Sequence, residues 1–96
     1  SGQVAIVPST GEMANADIDE EAHQVLKNIG AILAEAKMDF SNIIKTTIFL
    51  SDMALFARVN EVYAGYFDGN FPARETVAVK GLPKNANVEI SVIAAG

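Results

Sequence analysis

The sequence contains no cysteine and no tryptophan, and its one histidine is His23. Without cysteine the chain cannot form disulfide bonds, use a thiolate nucleophile or bind zinc through sulfur. One histidine cannot build a metal site alone, and no cluster of Asp and Glu accompanies it at ligand spacing. We therefore expect no metal site, and we interpret His23 as a surface or boundary residue of a helix.

Positive charge is also scarce, with 7 Lys and Arg against 12 Asp and Glu and a formal net charge of −5. Affinity for nucleic acid depends on clustered Lys and Arg, and no such run occurs, so no nucleic-acid partner is expected. No apolar stretch approaches the roughly 20 residues that a membrane span requires, and no signal-peptide pattern opens the sequence. The default expectation is a cytoplasmic protein without a membrane partner.

The 96 residues, of which 50% are hydrophobic, fit one globular domain over residues 1–96. Two amphipathic helices are predicted from apolar residues at helical spacing. The first follows Asp17, which can cap it with help from Glu20. The second follows Ser51 or Asp52, which can cap it. The apolar stripes are Ala22, Val25, Leu26, Ile29, Ile32, Leu33 and Ala36 in the first helix, and Leu55, Phe56, Val59, Val62, Tyr63, Tyr66 and Phe67 in the second.

Four strands are predicted, at residues 4–7, 42–50, 75–80 and 87–94. The order β-α-β-α-β-β indicates an α+β fold with two helices on one face of the sheet. Strand alternation places Ile44, Thr46, Ile48 and Leu50 on one face. The opposite face would then carry Ile43, Thr47, Phe49, Ala78 and Ile93. Because that face is too apolar to be left in water at this size, a homo-oligomer is expected to cover it.

Arg74 is the most informative polar residue. It follows Phe71-Pro72-Ala73, in which proline fixes φ and holds the approach to a strand rigid. Its planar guanidinium suits bidentate capture of a carboxylate. The alternative is a solvated arginine that pairs loosely with Glu75 or Glu89, since surface arginine is common.

Three further residues are candidates for the same surface. Thr76 shares strand parity with Arg74. Glu89 lies in an apolar strand, where desolvation would make a carboxylate a better acceptor for the proton of a water; the alternative is an ordinary outward-facing glutamate. Asn60, beside the apolar stripe of the second helix, binds across an interface or simply faces solvent. Tyr63 is interpreted, like Tyr66, as a core or interface residue.

Several segments together resemble the Rid (YjgF-type) family of reactive-intermediate deaminases. They stand in the family's order and spacing along the whole chain, and the Pro-Ala-Arg and Lys-Thr-Thr elements are the most specific. The segments are Ser1-Gly2-Gln3, Thr10-Gly11-Glu12, Asn42-Ile43-Ile44-Lys45-Thr46-Thr47-Ile48-Phe49-Leu50, Val59-Asn60-Glu61-Val62-Tyr63, Phe71-Pro72-Ala73-Arg74, Leu82-Pro83-Lys84 and Val88-Glu89-Ile90.

The resemblance implies a chorismate-mutase-like α+β fold assembled as a homotrimer with sites between subunits. It implies hydrolysis of 2-imino and enamino acids, such as 2-aminoacrylate and 2-iminobutanoate, to 2-oxo acids and ammonia without a cofactor. By matched position, Arg74 would hold the substrate carboxylate with the backbone N–H of Gly2. Glu89 would position or activate the water, and Ser1, Asn60 and the backbone around Thr76 would line the pocket.

Two other functions are compatible with the resemblance. One is a non-catalytic regulatory trimer that binds a small carboxylate in the Arg74 pocket. The other is ribonuclease or chaperone activity, and the net charge of −5 counts against a ribonuclease. Members of the family begin earlier, with two additional strands and a Gly-Pro-Tyr segment, so we expect this sequence to be incomplete at its N-terminus. Thr76 replaces a cysteine found in some relatives, which a backbone role tolerates.

Overall fold

The computed structural model describes residues 2–96; the predicted role of Ser1 lies outside the described residues. The predicted order of helices and strands is confirmed. The elements are β1 (Gly2–Gln3), α1 (Ile18–Glu35), β2 (Ile43–Leu50), α2 (Phe56–Ala64), β3 (Ala73–Ala78) and β4 (Val88–Ala94). The first strand was predicted wrongly at residues 4–7, because the paired residues are Gly2 and Gln3, and Ile6 makes only an isolated bridge to Met13.

The strands form one mixed sheet in the order β1-β4-β2-β3. Strand β4 runs antiparallel to both β1 and β2, whereas β3 runs parallel to β2. A parallel pair needs a crossover, and α2 supplies it between β2 and β3. The edges of the sheet are therefore β1 and β3, and α2 leads directly into the strand that carries Arg74.

Helix α1 begins at its predicted cap, Asp17, whereas α2 begins later than predicted. The Asp17 side chain accepts a hydrogen bond from the backbone N–H of Glu20 at 2.8 Å, and Glu20 in turn accepts from the backbone N–H of Ala16 at 2.8 Å. Of the two residues predicted to cap the second helix, Asp52 instead caps a 3-10 turn over Met53–Leu55, where it accepts from the backbone N–H of Ala54 at 2.9 Å. Helix α2 follows this turn, and its own N-cap, Leu55, makes no side-chain bond. The bonds of Asp17 and Asp52 satisfy N–H groups that lack partners inside the helix or turn.

One face of the sheet packs against both helices. This core contains Val25, Leu26 and Ile29 of α1, Val59 and Tyr63 of α2, and Ile48, Leu50, Val88 and Ile90 of the sheet. The predicted faces were wrong for three residues, Ala78, Ile43 and Ile44. Ala78 pairs with Leu50 and so points to the helical side. A register shift between Ile43 and Lys45 places Ile43 in the core and leaves Ile44 57% exposed.

The other face, called the open face below, carries no helix of the described residues. It presents the side chains of Thr47, Phe49, Val77, Glu89 and Ile93. Val77 and Ile93 are exposed, so this face is apolar in part, as predicted. Among residues 2–96, no helix is both long and apolar enough to cross a membrane.

Candidate functional site in two halves

Arg74 lies on edge strand β3 directly opposite Thr46 of β2, and therefore points to the helical side of the sheet. Its Nη1 donates a hydrogen bond to Oδ1 of Asn60. Its Cζ lies 5.6 Å from the ring centroid of Phe56 and 5.1 Å from that of Tyr63. Both distances fall within the range of cation–π attraction. The guanidinium is thus held by one amide and two aromatic rings.

These three contacts come from one face of α2. Phe56, Asn60 and Tyr63 are four and three residues apart, a spacing that aligns side chains along one side of a helix. Asn60 was predicted for this surface, whereas Tyr63 was interpreted only as a core or interface residue. The spacing between Asn60 and Tyr63 was the available signal that both could reach the same partner.

Arg74 forms no ion pair among residues 2–96. The alternative prediction, a loose pair with Glu75 or Glu89, is therefore wrong. Glu75 pairs with Lys45 at 3.4 Å, and both project from the open face. The second arginine of the chain, Arg58, pairs with Asp19. Nη1 of Arg74 donates to Asn60, and its Nε and Nη2 groups have no hydrogen-bond partner in the described part of the chain. A planar edge of two donors matches the two oxygens of a carboxylate.

A depression of about 430 Å³ adjoins this guanidinium. Its walls are Asn60, Tyr63, Ala64, Phe71, Pro72 and Arg74. Rings and aliphatic groups thus surround one cation, an arrangement suited to a small molecule with a carboxylate at one end and an apolar group at the other. We call the set Phe56, Asn60, Tyr63, Phe71 and Arg74 the Arg74 half-site.

Thr76 follows Arg74 on β3, is paired with Ile48 and faces the same side of the sheet. The predicted shared parity of the two residues is therefore confirmed. The Oγ1 atom of Thr76 is buried and has no hydrogen-bond partner among residues 2–96. A buried hydroxyl without a partner costs free energy. The fold therefore does not use this hydroxyl to hold the strand in place.

Glu89 lies elsewhere. It pairs with Phe49 of β2 and so projects from the open face, where it is partly buried. Its side chain extends over β1: a Cβ added to Gly2 would stand 1.8 Å from Oε2 of Glu89 and 2.7 Å from its Cδ. Only glycine permits this close approach of a backbone to a carboxylate. Gly2 and Glu89, predicted separately, are thus in contact, and we call this pair the Glu89 half-site.

The two half-sites occupy opposite faces of one sheet. In one chain the structure brings Arg74, Asn60 and Thr76 together on the helical side, and Gly2 and Glu89 together on the open face. No register of β4 on β2 that keeps Val88 and Ile90 in the core could bring Glu89 to the side of Arg74, since a strand alternates its side chains. The predicted residues therefore cannot all face one pocket of a single subunit.

A buried carboxylate supports the strand that carries Glu89. Glu21 of α1 is fully buried and accepts hydrogen bonds from the backbone N–H of Asn87 at 2.7 Å, its Nδ2 at 2.9 Å and the backbone N–H of Val88 at 3.3 Å. Glu21 was not predicted to have a structural role. Its partners lie more than sixty residues away, and no local pattern indicates them.

His23 and Tyr66 pair on the outer surface, with Nδ1 of His23 2.9 Å from the hydroxyl of Tyr66. Burial raises the pKa of the Tyr66 phenol, so this hydroxyl stays protonated in the neutral range. Neither residue belongs to either half-site. In the described part of the chain, no group of three or more His, Asp or Glu side chains converges in a way that could hold a metal ion.

Residues 1–96 match the family model described as endoribonuclease L-PSP. The chain is similar to the 2-iminobutanoate/2-iminopropanoate deaminase of Rattus norvegicus, with 48% identity over 94 residues that cover 98% of this chain and 69% of the relative. It is also similar to the solved structure of YyfA from Yersinia pestis, of the Rid protein family, with a TM-score of 0.97 and 49% identity over 100% of this chain and 77% of YyfA.

A structure with a bound small molecule is also similar to this chain. E. coli TdcF, solved with bound serine, matches with a TM-score of 0.94 and 40% identity, over 100% of this chain and 77% of TdcF. Serine carries a carboxylate and an amino group on adjacent atoms. Both solved structures match the whole of this chain, so its mixed sheet with two helices on one face is the fold that the sequence motifs implied.

Proposed function

The chain belongs to the Rid (YjgF) family, and on that premise we propose that it is an imine deaminase that converts 2-imino and enamino acids to 2-oxo acids and ammonia. We take 2-iminobutanoate and 2-aminoacrylate as its substrates. The deaminase name of the similar rat protein supports the reaction type. The observation that carries the proposal is the Arg74 guanidinium, which forms no ion pair among residues 2–96 and borders an apolar depression.

The complete site in this proposal lies between two copies of the chain in a homotrimer. One copy supplies the Arg74 half-site and its neighbour supplies the Glu89 half-site. Two features support this arrangement. The half-sites face away from each other in one chain, and the open face that carries Glu89 also exposes Val77 and Ile93, which a neighbour would cover. A closed ring of identical subunits repeats such an interface around its axis.

In this cleft, Arg74 orients the substrate through its carboxylate, so that C2 of the imine faces Glu89; 2-aminoacrylate reaches its imine form when a proton moves from its nitrogen to C3. Water then adds to C2 while Glu89 accepts its proton and passes a proton to the imine nitrogen. The product is a carbinolamine. Glu89 next takes the hydroxyl proton and delivers it to the amino group, the C–N bond breaks, and ammonia leaves as the carbonyl forms. One water is consumed, and Glu89 ends as it began.

This chemistry needs few groups, because an imine carbon is already electrophilic. Orientation of the two reactants and one proton carrier suffice to accelerate the addition. The apolar walls around Arg74 limit competing water at the reacting carbon. Gly2 lies beside Glu89, and its backbone N–H is proposed to help Arg74 hold the carboxylate. A ribonuclease is not proposed, since the net charge of −5 disfavours a polyanion.

Ammonia release from freshly generated 2-iminobutanoate tests the proposal. The Arg74→Ala variant should lose at least about a hundredfold in kcat/KM, by analogy with a truncated charge pair that costs ~2–5 kcal/mol. Arg58→Ala is the matched control, because Arg58 is the other arginine and pairs with Asp19 outside both half-sites. Equal turnover by Arg74→Ala and the wild type would overturn the carboxylate clamp.

A further inference from the structure

A buried hydrogen bond lies beneath the Arg74 guanidinium. The hydroxyl of Tyr63 donates to Oγ1 of Thr46 at 3.0 Å. Tyr63 is 2% exposed and Thr46 is 0% exposed, so this bond is sealed from solvent. Thr46 is also the residue paired with Arg74 across the β2–β3 register. Arg74, Thr46 and Tyr63 therefore form a closed triangle of neighbours that links two strands to α2.

The Tyr63 ring contacts both the sheet and the guanidinium. It packs against the ring of Phe67, with ring centroids 4.8 Å apart, and its hydroxyl is bonded to Thr46. Because Thr46 and Phe67 both hold the Tyr63 ring, this ring offers Arg74 a surface of defined orientation, 5.1 Å from its Cζ. Phe56 approaches the same guanidinium, but it is exposed and its side chain has no polar group that could anchor it. Tyr63 is thus the ordered member of the two rings.

The hydroxyl remains a donor across the neutral range. Burial raises the pKa of Tyr63, although the bond to Thr46 and the charge of Arg74 act in the opposite direction. Phenylalanine at this position would keep the ring area and lose only the anchor. It would also leave the Thr46 hydroxyl buried without its partner.

We propose that Tyr63 and Thr46 are positioning residues for Arg74, and that their hydrogen bond sets how firmly the Arg74 half-site holds a carboxylate. An arginine already held in its binding geometry loses less rotamer freedom when the ligand arrives. Because the carboxylate is held alike in substrate and transition state, the pair acts on KM and leaves kcat nearly unchanged. The effect on KM rests on the proposed function, whereas the ordering of the guanidinium does not.

The first experiment therefore uses no substrate. The chain has two arginines, so ¹⁵N-arginine labelling gives two sets of guanidinium signals, assigned with an Arg58→Lys variant. We measure rotation about the Cζ–Nη bonds in the wild type, Tyr63→Phe and Thr46→Val. In both variants the Arg74 signals should show faster rotation by at least about threefold, while the Arg58 signals stay unchanged as an internal control.

The second experiment measures KM for 2-iminobutanoate and Kd for 2-oxobutanoate. Tyr63→Phe should raise both by about threefold to tenfold with kcat within about twofold, as expected from the loss of one net hydrogen bond. Tyr66→Phe is the matched control, since it removes a tyrosyl hydroxyl bonded to His23 outside the Arg74 half-site. Thr46→Ser, which keeps the acceptor, should retain the wild-type values.

Wild-type rotation of the Arg74 guanidinium in folded Tyr63→Phe and Thr46→Val would overturn the proposal. So would an equal rise in KM for Tyr63→Phe and Tyr66→Phe, because that would be a general effect of lost stability. If the wild type neither binds 2-oxobutanoate nor releases ammonia, the proposed function fails, and the rotation measurement still decides whether the pair orders Arg74. Thermal unfolding confirms that each variant is folded, and Thr46→Val serves if Tyr63→Phe does not fold.

Discussion

Arg74 and Glu89 project from opposite faces of the same sheet. Arg74 is paired with Thr46 on β2, and Glu89 is paired with Phe49 three residues further along that strand. Because Thr46 and Phe49 are an odd number of residues apart on one strand, their side chains point to opposite sides of the sheet. Paired residues on neighbouring strands point to the same side, so Arg74 lies on the side of Thr46 and Glu89 on the side of Phe49. The two residues that the proposed reaction needs in one cleft are therefore separated by the sheet of a single chain, which makes the assembly of subunits a requirement of the mechanism.

Glu89→Gln should separate catalysis from binding. Glutamine keeps the shape of the side chain but cannot accept and return a proton, so kcat should fall by about a hundredfold or more. Because Arg74 is untouched, Kd for 2-oxobutanoate should remain within about threefold of the wild type. Ammonia release and calorimetric titration measure the two quantities. Glu75→Gln is the control, since Glu75 is also on the open face but pairs with Lys45; a comparable loss of kcat there would contradict a specific role of Glu89.

Gly2→Ala should impair the Glu89 half-site through crowding alone. A Cβ at residue 2 would meet Oε2 of Glu89 at 1.8 Å, so the carboxylate must move away from the backbone. Gly81→Ala is the matched control, because nothing lies within 4 Å of a Cβ added there. We expect kcat to fall at least about tenfold in Gly2→Ala, a loss of ~1.4 kcal/mol of transition-state stabilisation. In Gly81→Ala, kcat should stay unchanged. Full activity of Gly2→Ala would show that the position of Glu89 is not critical.

Glu21→Ala should destabilise the fold. It would leave the backbone N–H groups of Asn87 and Val88 buried without an acceptor, and each such group costs about 1–3 kcal/mol. We expect the free energy of unfolding to fall by about 2–4 kcal/mol in urea titrations. Glu35→Ala, at the exposed end of the same helix, should change it by less than about 0.5 kcal/mol. Similar values for the two variants would mean that the buried carboxylate contributes little.

Thr76→Val tests whether Thr76 acts through its backbone. Its hydroxyl is buried and has no partner among residues 2–96, so its replacement by a methyl group should leave the free energy of unfolding unchanged or raise it by up to about 1 kcal/mol. If Thr76 contacts the substrate only through its backbone, KM of the Thr76→Val variant should be unchanged. A tenfold rise in KM with normal stability would instead assign the hydroxyl to the substrate.

Much of the framework was predictable because its causes are local. Asp17 was identified as a cap from its position before an apolar stripe, and the structure shows its bond to the backbone N–H of Glu20. Strand alternation placed Ile93 of β4 on the opposite face, and Ile93 lies on the open face together with Glu89. Shared parity likewise placed Thr76 on the face of Arg74. Each of these features follows from the period of a helix or a strand.

The remainder depends on which segments meet. The register shift near Ile44 reverses the expected sides of Ile43 and Ile44, and a shift of this kind arises from pairing with β4, which alternation alone cannot indicate. The first strand was predicted from the apolar run at residues 4–7, but the residues that pair with β4 are Gly2 and Gln3. Which residues pair depends on β4, and the apolar run alone does not indicate it. The bond of Tyr63 to Thr46 joins a helix to a strand, and no spacing within either element predicts it.

The central claim is that each site takes Arg74 from one subunit and Glu89 from its neighbour. Its most direct test is to mix the inactive Arg74→Ala and Glu89→Gln variants, unfold and refold them together at equal amounts, and measure ammonia release from 2-iminobutanoate. In a ring of randomly mixed subunits, about one quarter of the clefts would combine an intact Arg74 with an intact Glu89. We therefore predict recovery of about a quarter of wild-type activity. Activity no higher than the average of the two variants alone would contradict a site shared between subunits.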